Sequence, residues 1–186
     1  MDIHQIRTCF KNFQMNADYE DIDLTLFQFV RFNACVRDLD DINRHTNVEQ
    51  IIDNNLYADS IFEKGHKRLE EIYQFMKTQV ANNQTKLVFA CQVAIFIVTN
   101  QVFGNGNHRT ALFAVRMGLP NSLRSLYDND SQLLHDLHEL MNDQLRYGNN
   151  FEKYSRLHRS DQIKYIKSMS GPMLNRMMSF INSIGR

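Results

Sequence analysis

The sequence predicts an all-α fold in a single domain, residues 1–186. Three observations carry that prediction. The chain has 186 residues, the size of one ordinary domain. Only seven glycines and two prolines punctuate it, too few for the many turns of a β-rich fold. Apolar residues recur at helical spacing through most of its length. Its hydrophobic content of 43% is enough to bury a core at this length.

The elements follow in order. A short helix is expected over Ile3–Gln14. Asp21 or Asp23 can cap a second, whose apolar positions include Leu24, Phe27, Val30, Ala34 and Leu39. Residues 54–62 are irregular and open on an Asn54-Asn55 turn signal, so they suit an extended or hairpin segment. An amphipathic helix follows near Glu63–Ala81, with Leu69, Ile72, Tyr73, Met76 and Val80 at helical spacing. Lys86–Asn100 is apolar on nearly every side and reads as the central helix. After the loop Phe103–Asn107, a helix is expected over His108–Met117, ended by Gly118 and Pro120. Ser131–Tyr147 carries a broad leucine-rich face, and Gly148 ends it. Two last helices are expected near Phe151–Met169 and Met173–Ile184, with Pro172 opening the second.

Charge and cysteine usage narrow the function classes. Lys and Arg total 21 against 21 Asp and Glu, so nothing globally basic is available to neutralise a nucleic-acid backbone. The longest apolar stretch, Leu87–Val98, is too short to span a bilayer. The first ten residues lack the basic-then-apolar layout of a signal peptide. Cys9, Cys35 and Cys91 are odd in number and far apart. They predict no disulfide framework and fit a reducing, cytoplasmic compartment.

Charge is unevenly spread. Residues 1–50 carry a net −4 and residues 146–186 a net +6. These are solvated faces, or a basic C-terminal face that docks a partner or an acidic membrane surface. His135 and His138 lie one turn apart, but no third ligand follows at metal-site spacing and the helix is already explained as amphipathic. Met169, Met173, Met177 and Met178 form either ordinary core or a partner groove.

The segment that carries chemistry is Gln101-Val-Phe-Gly-Asn-Gly-Asn-His-Arg-Thr-Ala-Leu112. It joins the most apolar helix to the next one. Gly104 and Gly106 permit a positive φ and a close ligand approach. The loop empties into a helix N-terminus, which favours an anion. Arg109 sits in the first turn, where a cation opposes the helix dipole and makes sense beside a bound phosphate. The structural alternative makes Gly104 a helix C-cap and Asn105 or Asn107 an N-cap.

The segment resembles the signature of the Fic/Doc family, His-x-Phe-x-(Asp/Glu)-(Gly/Ala)-Asn-(Gly/Lys)-Arg, followed in the Doc branch by Thr-Ala-Leu. Phe103, Gly106, Asn107, Arg109, Thr110, Ala111 and Leu112 match in register. The resemblance covers about residues 54–150. It implies a helical domain with a short β-hairpin flap at 54–62, which would align a protein target by strand addition. It implies transfer of AMP or phosphate from ATP or another nucleotide to a protein hydroxyl, with Mg²⁺. Gly104, Asn105, Gly106, Asn107, Arg109 and Thr110 would then bind the nucleotide phosphates, and Phe103 would anchor the loop.

Two departures bear on activity. The family's catalytic histidine is Gln101 here, and an amide is no base near neutral pH. Losing a positioned base lowers a rate by about 10²–10⁴-fold. The family's metal-binding acid is Asn105, which leaves a neutral oxygen as the magnesium candidate. His108, before the arginine, can replace a lysine's charge or act as an unconventional base. The site residues Gln101, His108 and Arg109 therefore leave three readings. One is a transferase with altered chemistry. Another is a nucleotide- or protein-binding pseudoenzyme. The third is a hydrolase in which Gln101 orients water. No Glu is followed by Gly or Asn, and the family's second arginine is Leu112. The resemblance thus places any inhibitor on a separate antitoxin-like protein, and places action in a cytosol, the cell's own or a host's.

Overall fold

A computed structural model describes residues 3–12, 21–36, 65–82, 84–103, 105–146 and 158–184. Among them the chain forms eight helices and no strand. They are α1 (Ile3–Asn12), α2 (Ile22–Cys35), α3 (Gly65–Ala81), α4 (Lys86–Asn100), α5 (Asn107–Gly118), α6 (Asn121–Asn129), α7 (Ser131–Arg146) and α8 (Arg159–Ile184). The expected flap, 54–62, lies outside the described residues.

Helix α4 is central, as its all-round apolar pattern predicts. Thr85 caps it by accepting a hydrogen bond from the Val88 N–H. Phe89, Ala90, Cys91, Val93, Ala94, Ile95, Ile97 and Val98 are all buried. Helix α5 turns back along it as a tight hairpin. Gly118 makes that approach possible: a Cβ there would overlap the Ala90 Cβ and come within 3.0 Å of the Lys86 carbonyl. Helix α8 also packs on α4 and lays Met173, Met177 and Ile181 into the core at i, i+4 and i+8. Met173 and Met177 are thus core residues.

Helix α2 starts at the Asp21 cap, whose Oδ1 accepts from the Leu24 N–H at 2.9 Å. Its buried face is Leu26, Phe29, Val30 and Phe32, and Leu24 is exposed. An aromatic cluster joins α1, α2, α5 and α6. Phe32 stacks on Phe113 at 4.2 Å, and Phe10 packs on both Phe32 and Tyr127. The Tyr127 hydroxyl donates to the Leu112 carbonyl at 3.0 Å. Both Asp128 carboxylate oxygens accept from Arg116 at 2.6 Å, tying α6 to α5.

Four expectations need correction. Cys9 and Cys35 form a disulfide between α1 and α2, with their Cα atoms 6.1 Å apart. The odd count concealed it, because the third cysteine, Cys91, is a buried free thiol. Pro172 lies inside one continuous helix rather than opening a new one. A mid-helix proline removes one ladder hydrogen bond, but the helix continues through it, and directly after it Met173, Met177 and Ile181 are buried in the core. Helix α6 was not expected. Pro120 both follows α5 and caps α6, so a helix stop doubles as a helix start. Val80 is exposed, so the buried stripe of α3 is Leu69, Ile72 and Met76.

Candidate functional site

The loop between α4 and α5 begins with a sharp reversal. Gln101 is the C-cap of α4 at φ 49°, a left-handed conformation that a residue other than glycine adopts at a cost of about 1–2 kcal/mol. Its side chain stays local: Nε2 donates to the Val98 carbonyl at 2.6 Å. The capping role proposed for Gly104 therefore falls to Gln101, and Gly104 lies outside the described residues.

Two residues on, Phe103 is buried at 1% exposure and anchors the loop. Asn107 closes around it. Its Oδ1 accepts from the Phe103 N–H at 2.8 Å. Its Nδ2 donates to the Phe103 carbonyl at 2.8 Å and to Gln101 Oε1 at 3.1 Å. One carboxamide thus satisfies a buried backbone donor and a buried backbone acceptor.

Gly106 is the N-cap of α5 at φ 75°, so neither asparagine caps that helix. Its N–H donates to Asn105 Oδ1 at 2.6 Å. A Cβ at this position would lie 2.9 Å from Asn33 Nδ2, which makes glycine a steric requirement as well as a conformational one. Asn33, fully buried on α2, donates to the Asn105 carbonyl at 2.8 Å and to Thr110 Oγ1 at 2.9 Å. Thr110 is itself fully buried, and its hydroxyl donates to the Gly106 carbonyl. Its position fastens the loop and offers no surface to a ligand.

Arg109 turns toward α1 and α2. Its guanidinium donates to Gln5 Oε1 at 3.0 Å and to the Val36 carbonyl at 2.6 Å. His108 packs its ring against His138 of α7, with centroids 5.3 Å apart. The structure therefore brings Gln101, Phe103 and Asn107 together, and seats Arg109 and His108 on other helices. Gln5, Asn33 and the Val36 carbonyl complete the site, and sequence reasoning missed all three. Their only signal is tertiary: they lie more than 70 residues from the groups they hold.

No family model, curated protein or solved structure matches this chain.

The donor set does not fit a magnesium ion. Asn105 offers a neutral oxygen that already accepts from Gly106, and a hard cation takes carboxylates first. Among the described residues no three His, Cys, Asp or Glu side chains converge to hold a metal. Likewise, His138 Nδ1 lies 3.0 Å from its neighbour Glu139, and His135 is exposed. No described helix is long and apolar enough to cross a membrane.

Titration follows burial. Cys91 is pushed up to about 12 by burial, so its thiol is inert as a nucleophile. Burial likewise raises the Tyr127 hydroxyl well above its usual range. His138 is lowered by burial, against the raising pull of Glu139. A histidine lowered in the folded state stabilises the fold above its unfolded pKa, near 6.5. That contribution is lost as pH falls, because the unfolded chain takes up the proton more readily. The melting temperature is therefore expected to fall between pH 7 and pH 5, and to fall less in His138→Gln. Equal slopes in thermal melts of the two proteins would contradict this.

Proposed function

We propose that this chain is a Fic/Doc-like module that has given up group transfer and binds nucleotide phosphate at the N-terminus of α5. The observation that supports the loss of transfer is the Asn107 clasp. Gln101 and Asn107, matched to the family's base and phosphate-binding asparagine, hydrogen-bond to each other, Gln101 also to the α4 backbone at Val98 and Asn107 to the loop backbone at Phe103. No carboxylate replaces the metal anchor at Asn105. What supports phosphate binding is the frame. A left-handed glycine opens α5, and the first turn of a helix directs backbone N–H groups and the positive dipole end outward. Arg109 lies in that turn and is only partly buried.

The transferase reading, AMP or phosphate to a protein hydroxyl, has one observation in its favour. Phe103 is buried and the loop connects the central helix to the next helix, the framework such an enzyme needs. Titration with ATP separates binding from no binding. We expect ATP to bind, with Arg109→Ala weakening it by about tenfold, the effect of one charge-assisted contact. Equal affinity in both proteins, or no ATP binding in either, would refute phosphate binding at this turn.

A further inference from the structure

A second site lies away from the loop, in the groove between α1 and α6. Its volume is about 360 Å³. Arg7 and Lys11, one turn apart on α1, line one wall, and Arg124 lines the other. Both guanidinium groups are held in place by neutral acceptors. Arg7 Nε donates to the Asp128 carbonyl at 2.9 Å and its NH1 to Ser131 Oγ at 3.2 Å. Arg124 donates to the Leu119 carbonyl at 3.0 Å. A guanidinium has five N–H donors, and these two bonds use two of Arg7's while fixing it at the groove wall.

Among the described residues the one acid lining the groove is Asp128. Its carboxylate is gripped by Arg116 through both oxygens at 2.6 Å, which offsets its charge. Asn121 and Ser125 add an amide and a hydroxyl from the first turns of α6. The floor is Phe10, itself buried at 1% exposure. Three cations on two walls, with hydrogen-bond donors between them, suit a dianion with several acceptor oxygens. A monocarboxylate would satisfy one wall only.

We propose that the α1–α6 groove is a binding site for a phosphate dianion, borne by a phosphomonoester or a pyrophosphate-containing small molecule. Among the described residues the site shares no lining residue with the α4–α5 loop, so it stands whether or not the loop binds nucleotide.

Inorganic pyrophosphate is the probe. The full chain would be titrated at constant ionic strength while backbone amide and Arg Nε resonances are followed by NMR. The expected result is saturable shifts at Arg7 Nε and at the amides of Asn121–Ser125, reached below about 10 mM ligand. Lys11→Glu and Ser125→Glu replace groups outside the core and add a carboxylate to each wall. Each is expected to weaken those shifts by about tenfold or more. Shifts at Asn107–Thr110 report the loop separately and are expected not to follow these variants. The proposal is overturned if no shift appears in the groove up to that concentration, or if the shifts survive both variants. Displacement of pyrophosphate by equal chloride would overturn it too, marking general screening rather than a site.

Discussion

Replacing Asn107 by alanine is expected to destabilise the fold by about 3 kcal/mol. The carboxamide holds both polar groups of the Phe103 peptide, and Phe103 is buried. Its removal leaves a buried donor and a buried acceptor without partners, each at a cost of about 1–3 kcal/mol. Asn107→Asp separates the two bonds. A carboxylate still accepts from the Phe103 N–H, but it sets oxygen against the Phe103 carbonyl and against Gln101 Oε1. Aspartate should therefore restore little of the loss. Urea unfolding measures both variants. A change below about 0.5 kcal/mol for alanine, the range of ordinary surface substitutions, would show that the clasp does not hold the loop. A pure ligand contact could be removed at little cost to stability, so the unfolding midpoint distinguishes a structural asparagine from a binding one.

Loss of the Cys9–Cys35 bond should cost a similar amount. The two residues are 26 apart in sequence, and closing a loop of that length raises the free energy of the unfolded chain, through lost entropy, by about 3.5 kcal/mol at 25 °C. The bond also fixes the site. Gln5 lies one turn before Cys9 on α1, and Val36 follows Cys35 at the end of α2. These are the elements that hold the Arg109 guanidinium. Cys9→Ala with Cys35→Ala should therefore lower the urea midpoint strongly. It should also broaden the Arg109 Nε resonance. Thiol titration gives a second check. The denatured, unreduced chain should expose Cys91 alone, whereas three reactive thiols would contradict the pairing.

Much of the fold was legible because it follows from one-dimensional patterns. The apolar run 87–98 dictated a buried α4, and Asp21 marked the start of α2. The leucine face of 131–146 placed Leu134, Leu137 and Met141 in the core. What escaped depends on pairings in three dimensions. Nothing local marks Asn33 as the residue that ties Asn105 to Thr110. Nothing in a count of three cysteines selects the two that meet. Pro172 misled for the opposite reason: its local rule is strong, but packing of α8 on α4 outweighs it. The loop itself is legible in its glycines and asparagines. The roles of those residues are not, because a motif that cradles a phosphate and one that closes on its own backbone use the same side chains. Gly106 served both readings, and its contact with Asn33 supplies a steric reason visible only in the fold.

Loop groups that are committed to structure, as proposed, leave none for group transfer, and label transfer from ATP, labelled at the α or the γ phosphate, into lysate proteins tests this. The wild-type chain, Gln101→His and Arg109→Ala would be run side by side with Mg²⁺. No label is expected on any protein from the wild-type chain. None is expected from Gln101→His either, because a base alone adds no carboxylate at Asn105 and does not release the groups that Asn107 holds. Label from the wild-type chain that disappears in Arg109→Ala would overturn the proposed loss of transfer and establish a transferase, with the labelled phosphate telling AMP transfer from phosphorylation.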